Sequence, residues 1–387
     1  MRVLLAFDKF KDALEAGAAC ATAAEVLREL HPDWQIDAAP LTDGGEGFTK
    51  ILTTTARGHF ETRTVTGPRG ETVTASFGLV PLQHIPAAAR AQLALPPHTS
   101  AAASVAVIEM AAVSGLALLP PDQRDPWHTS TFGTGELLRA AAENGAAALL
   151  LGIGGSATND LGLGALAALG LSFETADHQR LSPPTPASWS RLAHVSGRVH
   201  ASLPPIRIAC DVTHPLLGPD GCATTFGPQK GLRPDDLASL EQHSARVAHL
   251  LLEHHAQPAS LLDTPGAGAA GGIAFGLMCA ADARLLPGFA LVSDWLDLDA
   301  RIAAADLVIT GEGRYDATSL GGKGPGAIVA RARSLGKNVH VFAGAVPAEL
   351  ARHDPALHAI TPPHVPLAEA LRSTRALLAS ALTTTFR

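Results

Sequence analysis

The sequence predicts an α/β protein in which a parallel-sheet domain is assembled from both chain ends and a second, mixed α/β domain is inserted between them. Three observations predict it. Residues 2–41 read strand, helix, strand; residues 306–345 repeat that order; and the stretch between carries a Thr/Val hairpin and loop-rich segments instead.

Taken in order, "RVLLAF" (Arg2–Phe7) is a short β-like run ending in Asp8. Ala13, Ala16, Cys20, Ala23, Leu27 and Leu30 then make one apolar helical face, which assigns Cys20 to the core. "HPD" (His31–Asp33) stops that helix, and Gln35–Leu41 forms a second strand running into "TDGGEG". A β-α-β unit of this kind implies a right-handed crossover and a parallel pair. Arg63–Val80 alternates Thr and Val around a Pro/Gly turn, a hairpin signal. His84–Ser104, rich in Ala and Pro, and Gln179–Pro205, rich in Pro, are expected to be irregular. Val105–Met110, Ala147–Ile153 and Ile206–Cys210 are expected strands. Asp306–Gly313, a helix over Gly326–Leu335 and Asn338–Ala345 restore the β-α-β pattern, and no internal repeat is evident. The expected division is 1–62 with 288–387 for the first domain and 63–287 for the insert.

A chain of 387 residues suits two domains, and 47% hydrophobic residues is a globular composition. A net charge of −7 argues against nucleic acid as a partner and leaves no polybasic patch for a membrane. The first apolar run is too short for a signal peptide or a membrane span. Cys20, Cys210, Cys222 and Cys279 stand singly, without metal-type spacing, so a reduced, cytoplasmic protein is expected. Only six lysines occur against 23 arginines, yet Lys9, Lys11, Lys230 and Lys323 all fall in loop-like stretches beside polar motifs. Lysine is a compact point charge suited to phosphate oxygens.

Four expected strand ends carry a carboxylate: Asp8, Asp43, Asp211 and Glu312. Ligands of open α/β sheets bind beyond the carboxyl ends of the strands, and carboxylates gathered there suit a magnesium ion or a general base. "GIGGSA" (Gly152–Ala157) fits the dinucleotide fingerprint, with Glu174 at the spacing for a ribose contact. "GAGAAG" (Gly266–Gly271) fits as well, without a preceding strand, and no Walker A motif exists. Asp160 would repel a pyrophosphate without metal, but is useful beside Mg²⁺ and a transferable phosphate. Tight helix–sheet packing accounts for Gly162 and Gly164 but leaves "GGSATND" unexplained. "GEGRYDATSLGGKGP" (Gly311–Pro325) places Glu312, Arg314, Asp316, Ser319 and Lys323 in one loop ahead of a helix.

In order, "FDKFKDAL", "LTDGGEGF", "AVIEMAAVSGL", "TSTFGTGELLRAA", "GIGGSATND", "ACDVTHPLLGP", "FGPQKG", "PGAGAAGG" and "ADLVITGEGRYDATSLGGK" resemble the type I glycerate kinase family over nearly the whole chain. The resemblance implies ATP-dependent phosphorylation of D-glycerate, most often at the 2-hydroxyl, with Mg²⁺. It also implies a flavodoxin/Rossmann-like domain split around an inserted α/β domain. Two departures stand out: Leu161 and Leu163 interrupt a glycine run, and Glu15 replaces a Ser or Thr cap, leaving Asp12 to cap the first helix.

On this basis the site is expected in a cleft between the domains. Lys9, Lys11, Lys230 and Lys323 would neutralise phosphate or carboxylate oxygens, and Arg314 would grip the carboxylate. Asp43, Asp211 and Asp316 are candidates to accept the hydroxyl proton, with Lys323 beside them as catalytic, and Asp211 and Asp316 to hold Mg²⁺. Gly154, Gly155, Ser156, Thr158, Asn159 and Asp160 would supply amides and hydroxyls, and Asp8, Gly44, Gly45, Glu46, Gln229 and Glu312 complete the binding set. A 3-phosphoglycerate product, an NAD(P)-dependent hydroxyacid dehydrogenase and a non-catalytic sensor of a small acid are the alternatives. A monomer or homodimer is expected.

Overall fold

A run such as Val3–Phe7, apolar at every position, suits a strand covered on both faces, and the computed structural model buries all five residues. The structure describes residues 1–317, 319, 324–354 and 356–387. The chain begins with β1 (Arg2–Phe7), α1 (Ala16–Leu30), β2 (Gln35–Ala38), α2 (Phe48–Thr55), β3 (His59–Thr66), β4 (Thr72–Pro81), α3 (Ala87–Leu93) and β5 (Ser104–Glu109). It continues with α4 (Ala111–Ser114), α5 (Phe132–Glu143), β6 (Ala148–Gly152), α6 (Leu163–Ala168), β7 (Ser172–Thr175), β8 (Leu192–Ser196), β9 (Ile206–Ala209) and α7 (Cys222–Phe226). Then come α8 (Leu237–His255), α9 (Ala269–Ala281), β10 (Arg284–Leu286), α10 (Gly288–Trp295), α11 (Leu298–Ala304), β11 (Leu307–Arg314), α12 (Gly324–Ser334), β12 (Asn338–Ala345), α13 (Ala348–His353), β13 (Leu357–Ala359) and α14 (Leu367–Phe386).

Two compact units result: unit 1 is Met1–Asp43 with Val292–Arg387, and unit 2 is Gly44–Leu291. The first boundary falls at 43/44 rather than 62/63. The physical reason is pairing: β3 runs antiparallel to β4 along its whole length, from His59↔Leu79 to Thr66↔Thr72, and α2 packs on β4 and β5.

Unit 1 holds a five-stranded sheet in the order β13-β12-β11-β1-β2, all parallel. Counted along this unit the order is 2-1-3-4-5, the doubly wound flavodoxin-like arrangement, whose switch point lies between its first and third strands. Those strands are β1 and β11. α1 contributes Ala19, Cys20, Ala23 and Leu27 to the core of this unit, and α14 adds Leu378 and Leu382. α1 starts at Glu15 without a side-chain cap hydrogen bond, and Asp12 takes a left-handed backbone (φ +60°) rather than capping it.

Unit 2 is mixed, as the sequence predicts. In its six-stranded sheet, β10-β9-β6-β5-β4-β3, the first four strands are parallel and the last two antiparallel. β7 and β8 form a separate antiparallel pair. His84–Ser104 is less irregular than expected, since it contains α3, whose Ala89 and Leu93 are buried. Gln179–Pro205 likewise contains a 3-10 turn and β8, anchored by the buried Trp189.

The end of α14 is held by aromatic and histidine contacts. His31 stacks on Trp34 at 3.8 Å and its Nε2 lies 2.8 Å from the Phe386 carbonyl. The Phe386 ring meets His340, which shares a 2.9 Å hydrogen bond with His358. Burial lowers both His340 and His358 below 6.5, the charge of His340 lowers His358 further, and Asp354 pulls both the other way. A depressed folded-state value makes this contribution complete above pH 6.5 and lost as pH falls below it. Unfolding melts between pH 7.5 and 5 should therefore show an acid-side loss of stability that is smaller in His358→Gln. Equal losses in both chains would contradict this.

Candidate active site

The strand ends of unit 1 gather charge at its switch point. Asp8 follows β1, its backbone N–H donates to the Gly311 carbonyl of β11 at 2.9 Å, and its Oδ1 accepts from the Lys9 N–H at 2.7 Å. Lys9 Nζ stands 3.5 Å from Asp43 Oδ1. Asp316 takes a 2.9 Å hydrogen bond from Arg314 Nε, and its N–H donates to the Ser319 hydroxyl. Gly313 lets β11 pass close to this loop, since a Cβ there would stand 3.1 Å from the Lys11 nitrogen.

Glu312 sits among these groups. Its Oε1 is buried and has no hydrogen-bond partner among the described residues. Burial raises its carboxyl to about 7, against a lowering hydrogen bond from Ser319, and the charges of Asp8, Asp316 and Asp43 push it the same way. A carboxyl in this state can hold or release a proton near neutral pH. Among the described residues no group of three or more His, Cys, Asp or Glu forms a ready-made metal cage. Lys323 lies outside the described residues. A cavity of about 340 Å³ in this unit lies at the amino ends of β1 and β2, is lined by Arg2, Asp37 and Arg301, and contains none of the expected site residues.

In unit 2, Gly44 and Gly45 lie against the carboxyl ends of β6 and β9. Gly154 N–H donates to Gly44 O at 3.0 Å, and a Cβ on Gly154 would meet Gly45 at 2.8 Å, so the close approach requires glycine. Gly155 and Glu46 are exposed. Asp211, two residues beyond β9, accepts from the Phe289 N–H at 2.8 Å, at the start of α10. Gln229 is exposed on its loop.

The polar half of the β6–α6 turn is arranged differently from the expectation. Ser156, Thr158, Asn159 and Asp160 are all buried, the last three completely. Asp160 accepts from Thr131 N (2.7 Å), Thr131 Oγ1 (2.9 Å), Gly162 N (3.2 Å) and Gly164 N (3.1 Å). Burial raises this carboxyl and the four hydrogen bonds pull it back. Asp160 thus ties α5 to the start of α6 instead of presenting oxygens to a ligand. Lys230 is also corrected: it is buried, and its Nζ donates to the Thr158 carbonyl at 2.6 Å instead of reaching solvent.

The same geometry disfavours the dinucleotide alternative. The amides of Gly162 and Gly164, which would receive a pyrophosphate, are already bonded to a carboxylate of the chain itself. Glu174 stands on β7, outside the parallel sheet, bonded to Ser172, His178 and Ser196.

Two partners had no role assigned from the sequence. Thr131, which bonds Asp160 and takes the Ala165 N–H at 2.9 Å, was signalled only by the polar run "TST" ahead of an apolar helix. Ser319, the residue that engages both Glu312 and Asp316, had no signal beyond lying in the same loop.

A flavodoxin-like sheet with acidic and basic groups at its switch point, joined to a mixed α/β unit, defines an α/β protein of the kind that binds its ligands beyond the carboxyl ends of the strands. The chain belongs to the glycerate kinase family, whose profile matches residues 3–387. It is 37% identical over 378 residues to the glycerate kinase of Bacillus subtilis (strain 168), covering 96% of this chain and 93% of that one. It is 36% identical over 352 residues to the glycerate 2-kinase of Escherichia coli (strain K12), covering 89% and 86%. A crystal structure from Salmonella typhimurium LT2 aligns with 100% of this chain and 97% of its own, at 34% identity and a TM-score of 0.75. No helix among the described residues is long and apolar enough to cross a membrane.

Replacing Asp160 by Ala would leave its buried donors without an acceptor, a loss of about 3–5 kcal/mol by the usual cost of breaking a buried charged network. Urea unfolding should register it. A variant as stable as the parent would return Asp160 to the ligand-contacting set.

Proposed function

We propose that this chain phosphorylates D-glycerate from ATP with Mg²⁺, at the 2-hydroxyl, giving 2-phosphoglycerate and ADP. The observation that carries the proposal is the half-buried Glu312 at the switch point, surrounded by Asp8, Asp43 and Asp316 with Lys9 alongside. The name of the Escherichia coli relative supports the 2-hydroxyl as acceptor.

The residues fit a magnesium nucleotide. Glu312 Oε1 lacks a partner among the described residues, and the like charges around it would be relieved by a hard cation that prefers oxygen donors. Such an ion takes one or two carboxylates and completes its shell with phosphate and water, so a full protein cage is not required. Asp316 and Asp43 would hold it. An ion held there would supply charge neutralisation for the transferred phosphoryl group.

The chain's own residues do the rest. Glu312 accepts the proton of the attacking hydroxyl, and its raised carboxyl suits that task at neutral pH. Lys9 and Lys11 oppose the charge of anionic oxygens, and the exposed Arg314 offers a planar fork to the acid's carboxylate. Within unit 2 the exposed Gly155 peptide and Gln229 are the donors offered to anionic oxygens, and the buried polar residues keep the turn in place. Oxygen and phosphorus account for every bond changed: the acceptor oxygen gains the phosphoryl group and the β-phosphate oxygen leaves with ADP.

A coupled assay should detect ADP release that requires both D-glycerate and MgATP, and phosphorus NMR should identify 2-phosphoglycerate. A 3-phosphoglycerate signal would reassign the acceptor, and NAD(P)H formation without ATP would sink the kinase. Glu312→Gln should lower kcat/KM by about 10²-fold or more. The parent's rate should rise with pH through about 7, where Glu312 ionises, and the variant should lack that limb.

A further inference from the structure

One side chain joins the FGPQKG loop to the turn after β6. Lys230 ends a 3-10 turn (Pro228–Lys230), is 1% exposed, and reaches across 72 residues of sequence to the Thr158 carbonyl. Its bond is short, 2.6 Å, as expected when the donor is charged. Its acceptor residue and the next one along carry buried polar atoms with no hydrogen-bond partner among the described residues, Thr158 Oγ1 and Asn159 Oδ1, while the Asn159 side chain also bonds Cys222. The Thr158 main chain is confined on its other side, since a Cβ on Gly271 would lie 2.0 Å from that same carbonyl oxygen.

A buried ammonium making one carbonyl bond is a poor device for stability alone, because a well-packed apolar side chain usually does as well or better. Arginine, the cation this chain uses almost everywhere else, would not fit as a single point donor. Thr158 lies three residues after Gly155, in the turn whose exposed peptide the proposed function assigns to phosphate.

We infer that Lys230 is a positioning residue for phosphoryl transfer: its ammonium clamps the Thr158 carbonyl and so fixes the Gly155 peptide that receives phosphate. The inference rests on the proposed kinase reading of that turn. Lys230 touches no substrate. It acts through the turn, whose other fastenings are Gly154 N–H to Gly44 O, Ala157 N–H to Ser114 O, and the Asp160 network.

The charge of Lys230 matters to this role. Asp160 of the same turn and Cys222 of α7 are the groups acting on it, and Glu241 of α8 acts in turn on Cys222. Burial outweighs them and brings Lys230 from 10.5 to about 8. Losing the proton reduces a charge-assisted hydrogen bond to a neutral one and leaves Asp160 without its counter-charge. Turnover, once past the acid limb of Glu312 near pH 7, should therefore fall as pH rises through about 8. Stability should move the other way. Between about 8 and 10.5 the unfolded chain binds more protons at this residue than the folded chain, so the contribution of Lys230 to stability rises with pH.

The test is the pH profile of D-glycerate-dependent ADP release from pH 6 to 9.5, with thermal unfolding followed over the same range, for the parent and Lys230→Gln. Expected are an alkaline limb near pH 8 in the parent without loss of fold, and a folded Lys230→Gln about tenfold or more slower at pH 7 that lacks this limb. A parent profile with no fall up to pH 9.5, a limb that tracks unfolding, or a variant with parental rate or an unchanged limb would overturn the inference. If Lys230→Gln fails to fold, the parent's two profiles decide by the same criteria. Turnover at pH 7 with any of those contrary results sinks only the role of Lys230. Absence of glycerate-dependent turnover at every pH sinks the kinase reading itself, and this inference with it.

Discussion

A parallel strand covered on both faces has no place for a charged side chain until it emerges from the sheet. β1 obeys this rule through Val3–Phe7 and then delivers Asp8; β11 is buried from Leu307 to Gly311 and then delivers Glu312 and Arg314. Because the two strands are neighbours in register, with Phe7 opposite Gly311, their first polar residues emerge side by side. The charge concentration in unit 1 follows from that register. Burial raises the Glu312 carboxyl, and the charges of Asp8, Asp316 and Asp43 beside it add to that rise.

Unit 2 spends its polar residues inward. The turn after β6 must pass from a fully buried strand to a helix of six residues, too short to bury its own unsatisfied N–H groups cheaply. Asp160 supplies the missing acceptors from within the turn and recruits Thr131 from α5 for one more. Rigidity here comes from hydrogen bonds saturated on a single carboxylate, and the exposed edge of the turn is left to Gly155. Main-chain donors held in this way need little reorganisation when charge develops against them.

The fold was legible where periodicity and burial agree. Continuous apolar runs located β1, β6, β9, β11 and β12 to within a residue or two at their ends, and the repetition of β-α-β at both ends predicted the discontinuous sheet. The strand-end acids were legible for the same reason. What could not be read was direction within a polar run. "GGSATND" carries hydrogen-bonding side chains in either case, and only three-dimensional contacts with Thr131, Lys230 and the α6 amides show that they point inward. The lysine argument failed at Lys230 for a related reason: scarcity in the composition marked it as special but did not say which way it faced. α3 was missed because Ala-rich sequence beside prolines has helix propensity and loop punctuation together, and Leu93 packing into the core decided between them.

The discontinuity of unit 1 also bears on how the chain is made. β1 is flanked by β2 and by β11, and Thr310 bonds the Ala6 carbonyl across 304 residues of sequence. A ribosome therefore releases β1, α1 and β2 long before the partner strand exists, and leaves one edge of an apolar strand waiting. Unit 2 is continuous and can complete itself first. Once folded, it shortens the effective loop that β11 must close, so the late strand docks onto a scaffold already gathered. β1 thus has the longest wait for its neighbour of any strand in this sheet, and that wait lasts until β11 is made.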